Sequence, residues 1–223
     1  QEYISSRRET RPLHFTLLDP GKTSADDLIT LAKQTAEAGT DGFMVGGSTD
    51  LSLENVDLAV ETIKQTTHMP VILFPTHASS VSGKADAIFF MSLLNSESRQ
   101  FLVGEQIASA PWVKKTGLEP LSMAYLVVAP GMTAGRVGQA QPLPRDQPDL
   151  VVSHALAGQY LGMKYIYLEA GSGASEPVPE DIIKSVRESI DVTLIVGGGI
   201  RTPESARKVV AAGADIVVTG TFV

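Results

Sequence analysis

The chain has 223 residues, and because it contains no cysteine it can form neither disulfide bonds nor thiolate metal sites. Its 18 basic and 25 acidic residues give a formal net charge of −7, which disfavours nucleic acid or an anionic membrane surface as the main partner. The length and the hydrophobic content of 43% are typical of one globular domain, which we expect to span residues 1–223.

The N-terminal segment QEYISSRRETRP is polar and charged, so it does not resemble a signal peptide. No apolar run approaches the ~18 residues that a membrane-spanning helix needs. Together with the lack of cysteine, these features predict a soluble, cytoplasmic protein without a transmembrane segment.

One unit recurs along the chain: a helix-like segment ends at a glycine, and an aspartate then precedes a short apolar run. Clear copies lie at 36–47 and 210–220, and a looser copy lies at 83–92. Glycine suits the left-handed residue that ends a helix, and a continuous apolar run suits a strand that is buried on both faces. Such repeats predict a parallel sheet with crossover helices.

Eight strands and six helices are predicted in chain order. The strands are expected at 14–19, 42–46, 71–74, 86–90, 123–129, 164–169, 192–196 and 215–219. The helices are expected at 24–38, 54–66, 97–110, 149–162, 179–189 and 203–212. Eight parallel strands favour an α/β fold with a single (β/α)8 TIM-type barrel over an open doubly wound sheet.

Two crossovers depart from the regular pattern. The segment between Phe74 and Asp86 is short and rich in serine and glycine, so we expect a loop or strand in place of the third crossover helix. The chain ends just after the eighth strand, so a closing helix is not represented in this sequence.

Functional groups of a barrel collect where its strands run into the following loops. The loops after strands seven and eight contain Gly197–Gly199 and Gly220–Thr221, and Thr202 and Pro203 suit the start of the next helix. Glycines allow backbone N–H groups to approach a ligand closely, and a helix N-terminus favours an anion. The paired loops predict a phosphate site. Alternatively, these glycines only form tight turns.

Asp19 lies at the end of the first strand, in the segment LLDPGK. Mg²⁺ prefers hard oxygen ligands and usually takes only one or two carboxylates from a protein. Asp19, with a hydroxyl from Ser48 or Thr49, would fit such a site. Alternatively, Asp19 caps the next helix or closes the turn before Pro20.

Glu169 ends the sixth strand, in the segment YIYLEAGSGA. A strand end is rigid, so a carboxylate there can be aimed accurately at a substrate. Beside a phosphate site, Glu169 could act as general base for a hydroxyl, which contributes roughly 10²–10⁴-fold in rate. The alternative is an ion pair with a nearby lysine or arginine. Tyr165 and Tyr167 share the face of Glu169, so Tyr167 could donate to a substrate oxygen while the deeper Tyr165 packs.

The remaining polar candidates are less specific. A zinc site is disfavoured because the histidines lack metal-ligand spacing; they are His14, His68, His77 and His154. His77, Lys22 and Arg136 could face an anion or lie at the surface. The apolar run Ala87–Leu94 could line a groove or belong to the core.

Several segments closely resemble geranylgeranylglyceryl phosphate synthases, members of the prenyl-glyceryl-phosphate synthase group. They are HFTLLDPGK, VGGST, ADAIFFMSLLNS, YLEAGSGA and VGGGIRTPESA, and the resemblance runs from about residue 13 to the end. YLEAGSG and MSLLNS are specific to the family, whereas GGGIR is common in phosphate-binding barrels. The resemblance implies Mg²⁺-dependent transfer of a geranylgeranyl group from its diphosphate to the C3 hydroxyl of sn-glycerol 1-phosphate, the first ether bond of archaeal membrane lipids.

The resemblance also implies roles for individual residues. Asp19 is expected to bind Mg²⁺ with help from Ser48, and Glu169 is the expected catalytic base. Tyr167 is predicted as a second catalytic residue from its position on the same strand face, not from the resemblance. Glycerol phosphate is expected to contact Tyr167, Leu168, Glu169, Ala170, Gly171, Ser172, Gly173, Gly198, Gly199, Gly220 and Thr221. The family also implies a barrel whose third helix is replaced.

Other functions remain open at this stage: the same chemistry with a longer prenyl diphosphate, a phosphosugar isomerase or aldolase, or a non-catalytic phosphate sensor. An aldolase needs a Schiff-base lysine inside a strand, whereas Lys22, Lys84 and Lys164 lie outside predicted strand interiors or at their starts. We expect a homo-oligomer that binds small-molecule substrates and no nucleic acid, and that delivers its product to a membrane.

Overall fold

The computed structural model describes residues 1–47 and 51–220. Eight parallel strands form a closed barrel and are hydrogen-bonded in chain order, β1 to β8. They are β1 Leu13–Leu18, β2 Gly42–Gly46, β3 Val71–Phe74, β4 Ala87–Leu93, β5 Glu119–Val127, β6 Tyr165–Glu169, β7 Thr193–Gly197 and β8 Ile216–Thr219. The predicted barrel is therefore confirmed. The largest difference is in β5, which begins at Glu119 rather than at residue 123.

Most helices of the described residues cover the outside of the barrel. They are α1 Glu2–Arg8, α2 Ala25–Glu37, α3 Leu53–Thr66, α4 Glu105–Thr116, α5 Met132–Val137, α6 Pro148–Tyr160, α7 Glu180–Ser189 and α8 Pro203–Ala211. The six predicted helices are confirmed, although the one expected at 97–110 begins as a π-helical turn, Gln100–Gly104, and continues as α4 to Thr116, later than expected. The helix α8 starts at the predicted cap, because Thr202 and Ser205 form a reciprocal capping box before Pro203.

The third crossover is a loop, as predicted. Between β3 and β4, all of whose connecting residues are described, the chain forms only a short 3-10 turn, Ala78–Ser80. Val81 in this loop is buried, so the loop still covers part of the barrel.

The strands are buried on both faces, which explains their continuous apolar sequences. Side chains that point into the barrel form one cluster; its largest members include Phe15, Met44, Phe89, Met123, Tyr165 and Tyr167. The outward-pointing side chains pack under the helices. Within the described part of the chain, no helix is both long and apolar enough to cross a bilayer.

The polar N-terminal segment forms α1, which the sequence did not predict. Ile4 is 2% exposed and packs with the interior cluster of the barrel. Arg11 follows α1 and donates to the carboxylate of Asp41, with 2.9 Å between Nη1 and Oδ2. Burial opposes ionisation of Asp41, but the hydrogen bonds from Arg11 and the His14 amide lower its pKa overall. These contacts fix α1 at the N-terminal ends of the strands.

Candidate active site

The loops after β6, β7 and β8 meet at one rim of the barrel, as the sequence predicted. They border a polar pocket together with the ends of β1 and β2. Its lining includes Asp19, Lys22, Gly47, Tyr167, Glu169, Ser172, Gly173, Gly198, Gly199, Arg201 and Gly220. Most of the residues predicted to contact glycerol phosphate therefore lie around one cavity.

Not every predicted contact residue reaches this pocket. Leu168 points outward, into the cluster beneath the helices, because it alternates with Tyr167 and Glu169 along β6. Ala170 is also fully buried in that outer cluster, and its amide donates to the carbonyl of Gly197 at 3.1 Å. Neither side chain can contact a ligand in the pocket. Thr221 lies outside the described residues.

The glycines at the end of β7 and directly after it allow a very close approach of the β6 side chains. A Cβ atom at Gly197 would overlap the hydroxyl of Tyr167, and a Cβ atom at Gly198 would overlap Oε1 of Glu169. Gly198 also has a φ of +80°, which other residues rarely adopt. These glycines therefore place the carboxylate of Glu169 directly against the loop that borders the polar pocket.

Glu169 is held by hydrogen-bond donors at the end of β6. Its side chain is almost fully buried, and Oε1 accepts from the Gly171 amide at 2.6 Å. Oε2 accepts from the hydroxyl of Tyr125 at 3.2 Å, and the hydroxyl of Tyr167 also donates to the carboxylate. Among the described residues these partners are neutral groups, so the alternative of an ion pair with lysine or arginine is not observed.

The pKa of Glu169 is raised above that of an ordinary glutamate. Burial is the main cause, and the hydrogen bonds from Gly171, Tyr125 and Tyr167 offset only part of it. Burial also raises the pKa of both tyrosines well above the usual value, so they remain neutral donors. A carboxylate whose pKa is raised is a stronger base than an exposed one, which suits proton abstraction.

Aromatic contacts set the position of the two tyrosines. Tyr167 stacks on Phe74 with 5.5 Å between ring centroids and meets the edge of Tyr125 at 5.2 Å. Tyr165 lies deeper, is 2% exposed and packs against Phe89, as predicted. The role of Tyr125 was missed, although it pairs with Tyr167 in the register of β5 and β6. The alternation of side chains along β5 puts Tyr125 inside the barrel, but its place beside Glu169 depends on the register between β5 and β6.

Asp19 closes a turn and also faces the polar pocket. Its Oδ1 accepts from the Gly21 amide at 3.0 Å, and Oδ2 lies 3.0 Å from Nζ of Lys22. The predicted alternative of a turn-closing aspartate is therefore observed. Within the described residues no group of three or more His, Asp or Glu side chains could hold a metal ion. Ser48, the second predicted ligand, lies outside the described residues.

A second pocket adjoins the first and is mostly apolar. It is lined by the β3–β4 loop, by β4, by the π-helical turn and by α5; the lining includes Phe74, Val81, Ile88, Phe89, Phe90, Met91, Leu93, Phe101, Tyr125 and Val137. The apolar run of β4 therefore forms both core and pocket wall. Leu17, Gly47, Glu169 and Ser172 border both pockets. Glu169 thus lies where a polar and an apolar cavity meet.

The other charged candidates are divided between the pockets and the surface. His77 lies in the wall of the apolar pocket, and its Nδ1 is hydrogen-bonded to Oε1 of Glu105 at 3.0 Å. Lys22 borders the polar pocket, whereas Arg136 is exposed on α5 and borders neither pocket. Arg201 was missed by the sequence reasoning. It borders the polar pocket and donates to the Gly173 carbonyl at 2.8 Å, and its position directly after GGGI could have indicated it.

Comparison with known proteins identifies the family of this chain. Residues 5–223 match the model of the PcrB family. The chain belongs to this family. A relative from Pyrococcus horikoshii, named geranylgeranylglyceryl phosphate synthase, is 52% identical over 223 residues, which cover 100% of this chain and 88% of that protein. The resemblance noted from the sequence motifs, and with it the prediction of a prenyltransferase, is confirmed.

Solved structures agree with this assignment. The (S)-3-O-geranylgeranylglyceryl phosphate synthase from Thermoplasma acidophilum, solved in complex with its substrate sn-glycerol-1-phosphate, matches with a TM-score of 0.96 and 46% identity. The match covers 99% of this chain and 90% of that one. An N-acetylmannosamine-6-phosphate 2-epimerase from Clostridium perfringens has a TM-score of 0.57 at 14% identity, covers 94% of this chain and 86% of its own, and shares the fold alone.

Proposed function

We propose that this PcrB family member transfers a prenyl group from a prenyl diphosphate to a hydroxyl group of glycerol phosphate. The donor in this proposal is geranylgeranyl diphosphate, and the acceptor is the C3 hydroxyl of sn-glycerol 1-phosphate. The observation that carries the proposal is the buried carboxylate of Glu169 between a glycine-lined polar pocket and an apolar pocket. The glycerol phosphate complex of the Thermoplasma acidophilum relative supports the choice of acceptor.

The polar pocket would bind the phosphate of the acceptor. Gly198, Gly199 and Gly220 bring the backbone close to the cavity, and the capped N-terminus of α8 follows directly. Backbone N–H groups and a helix N-terminus favour an anion. The phosphate would thus fix the molecule so that its C3 hydroxyl faces Glu169, which reduces the entropic part of the barrier.

The apolar pocket would bind the prenyl tail of the donor. Its aromatic and aliphatic lining from β3, β4 and the π-helical turn is suited to a hydrocarbon chain. Each buried methylene group contributes about 0.8 kcal/mol, so a long tail could be bound tightly without a membrane-spanning helix. The reacting carbon of the donor would then lie beside Glu169, which borders this pocket too.

The reaction forms one C–O bond and breaks another. The bond between the allylic carbon and the diphosphate oxygen breaks, and the diphosphate leaves with the electron pair. The C3 oxygen of glycerol phosphate bonds to that carbon, and Glu169 accepts its proton. Tyr125 and Tyr167 orient the carboxylate through their hydroxyl groups, which keeps Glu169 aimed at one oxygen.

Mg²⁺ is part of this proposal, and the described residues offer one carboxylate ligand for it. The carboxylate of Asp19 borders the polar pocket and packs against Gly47, and one carboxylate is sufficient for an ion that takes most of its ligands from water and phosphate. Asp19 would hold the ion, and Lys22, whose ammonium group lies 3.0 Å from the same carboxylate, borders the same pocket and could face the diphosphate. When bound, Mg²⁺ would supply Lewis acid stabilisation of the leaving diphosphate.

A product assay tests the proposal. The protein is incubated with Mg²⁺, labelled sn-glycerol 1-phosphate and prenyl diphosphates of different lengths, and labelled product is extracted into organic solvent. Glu169→Gln should lose turnover by about 10²–10⁴-fold and keep its affinity for glycerol phosphate, because only the proton acceptor is removed. Unchanged turnover of this variant would reject the base, and no labelled product with any donor would reject the function.

The alternatives differ in what this assay would show. A synthase that uses a longer prenyl donor would give product only with longer diphosphates. An aldolase is disfavoured because Lys22, Lys84 and Lys164 lie outside the strands of the barrel. A phosphate sensor would bind glycerol phosphate without releasing diphosphate. Homo-oligomerisation, a cytoplasmic location and delivery of the product to a membrane stay predictions.

A further inference from the structure

The loops around the polar pocket are held in place by each other. The Gly131 amide donates to the Ala170 carbonyl at 3.1 Å, which joins the β5 loop to the β6 loop. A Cβ atom at Gly199 would overlap the carbonyl of Glu176, so the β7 loop rests directly on the backbone of the β6 loop. The position of the pocket glycines therefore depends on the segment that precedes α7.

Arg145 connects two of these loops. Its Nη1 donates to the Ala129 carbonyl in the β5 loop at 3.2 Å, and its Nη2 donates to the Pro177 carbonyl in the β6 loop at 3.0 Å. Nη2 also lies 3.5 Å from Oε2 of Glu176, but that carboxylate is 75% exposed, so this pair adds little. The guanidinium thus acts as a fork between two backbone carbonyls.

The backbone that Arg145 contacts packs directly against a residue that lines the polar pocket. Pro177 and Glu176 form the backbone against which Gly199 packs, and Gly199 borders the pocket. Ala129 precedes Gly131, which packs against Gly171 in the β6 loop. A displacement of about 1 Å at a binding group can reduce rate or affinity substantially. We therefore expect the hydrogen bonds of Arg145, which hold these loops, to affect ligand binding.

We propose that Arg145 is a positioning residue for the anion-binding loops, which it holds by bridging the carbonyls of Ala129 and Pro177. The inference rests on the proposed function in that sn-glycerol 1-phosphate is taken as the ligand. The planar fork of arginine can reach both carbonyls at once, whereas the ammonium group of a lysine would satisfy only one in the same geometry. Arg145 does not border the pocket itself, so its effect passes through the loops.

Calorimetric titration with sn-glycerol 1-phosphate, and separately with inorganic phosphate, tests the role of Arg145. Arg145→Met should weaken binding of sn-glycerol 1-phosphate about tenfold, which corresponds to ~1.4 kcal/mol. Arg145→Lys should lie between this variant and the wild type. In steady-state assays the KM for glycerol phosphate should rise in parallel, while kcat and the KM for the prenyl diphosphate change little.

Arg11→Met is the matched control. Arg11 pairs with Asp41 at the opposite end of the barrel, so its loss should lower the melting temperature and leave glycerol phosphate binding unchanged. If Arg145→Met binds like Arg11→Met, the inference is wrong. If Arg145→Lys binds like the wild type, charge alone acts and the fork is not needed, which also overturns it. If Arg145→Met does not fold, the affinity of Arg145→Lys is compared with that of the wild type instead.

The two proposals fail in different ways. Absence of sn-glycerol 1-phosphate binding by the wild type would reject the proposed acceptor. The ratio of inorganic phosphate affinities between the wild type and the Arg145 variants would still decide whether Arg145 positions an anion site.

Discussion

The contact between Gly198 and Glu169 allows a sharp test of the site geometry. In Gly198→Ala the new Cβ would overlap Oε1 of Glu169 and would lie 2.6 Å from the Gly171 nitrogen. The carboxylate must then move away from the Gly171 amide and lose a hydrogen bond to a charged group, which costs about 1.5–3 kcal/mol. The positive φ of this position adds roughly 1–2 kcal/mol of strain to any residue other than glycine.

The chain offers a control with the same backbone strain and no overlap. Gly39 has a φ of +96°, and an added Cβ there meets nothing within 4 Å. It lies between α2 and β2, at the end of the barrel opposite the site. Gly39→Ala should therefore lose only about 1–2 kcal/mol of stability and keep full activity.

Thermal unfolding and kcat/KM should be measured for both variants. A domain of this size loses about 2–4 °C of melting temperature per kcal/mol, so Gly198→Ala should melt clearly below Gly39→Ala. Its kcat/KM should fall by about 10²-fold, because a misplacement near 1 Å at a reacting group has effects of that size. Wild-type activity in Gly198→Ala, or equal activity losses in the two variants, would refute the close packing of Glu169 against the β7 loop.

Three further predictions concern Glu169, Glu105 and their partners. The pKa of Glu169 is raised in the folded state, so the wild type loses stability as pH rises through that pKa. Glu169→Gln should therefore gain melting temperature relative to the wild type at high pH. A difference in melting temperature that does not depend on pH would contradict this. Tyr125→Phe removes a hydrogen-bond donor to Glu169, so the pKa of Glu169 should rise further. The acid limb of the pH profile of kcat/KM should then move to higher pH. An acid limb at the wild-type pH would contradict a role for this hydrogen bond. Glu105 accepts hydrogen bonds from the Ala78 amide and from Gln100, each at 2.6 Å, and so connects the β3–β4 loop to α4. Glu105→Gln should lower the free energy of unfolding by about 1–2 kcal/mol and raise the KM for the prenyl diphosphate. A raised KM for glycerol phosphate instead would contradict the assignment of the two pockets.

The barrel could be read from the sequence because its strands are short apolar runs between helix ends marked by glycine or serine. The helix α1 could not be predicted in this way, since Tyr3 and Ile4 are its only large apolar residues and a helix this short has little stability of its own. Its stability comes from tertiary contacts, such as the burial of Ile4 and the hydrogen bond from Tyr3 to the Asp41 carbonyl. Such contacts join distant parts of the chain and leave no periodic pattern.

The positions of the pocket residues could be predicted where one strand end carries the whole signal, as at Glu169 and the glycines near 198. Tyr125 was missed because its proximity to Glu169 depends on the register between β5 and β6. Leu168 and Ala170 were predicted as contacts because a contiguous motif was taken as a unit, although alternate residues of a strand face opposite ways. Asp19 could not be assigned from the sequence alone, since the same carboxylate can serve a turn and a metal ion.

The loop that replaces the third crossover helix separates part of the apolar pocket wall from the strand ends that carry the catalytic candidates. The groups that would perform the chemistry stand on strand ends, whereas part of the wall of the apolar pocket comes from the β3–β4 loop and from Phe101 in the π-helical turn. Substitutions in that wall should alter which tail lengths are accepted while the proton transfer machinery stays intact. Donor preference in such a molecule can then diverge between lineages without rebuilding the catalytic centre.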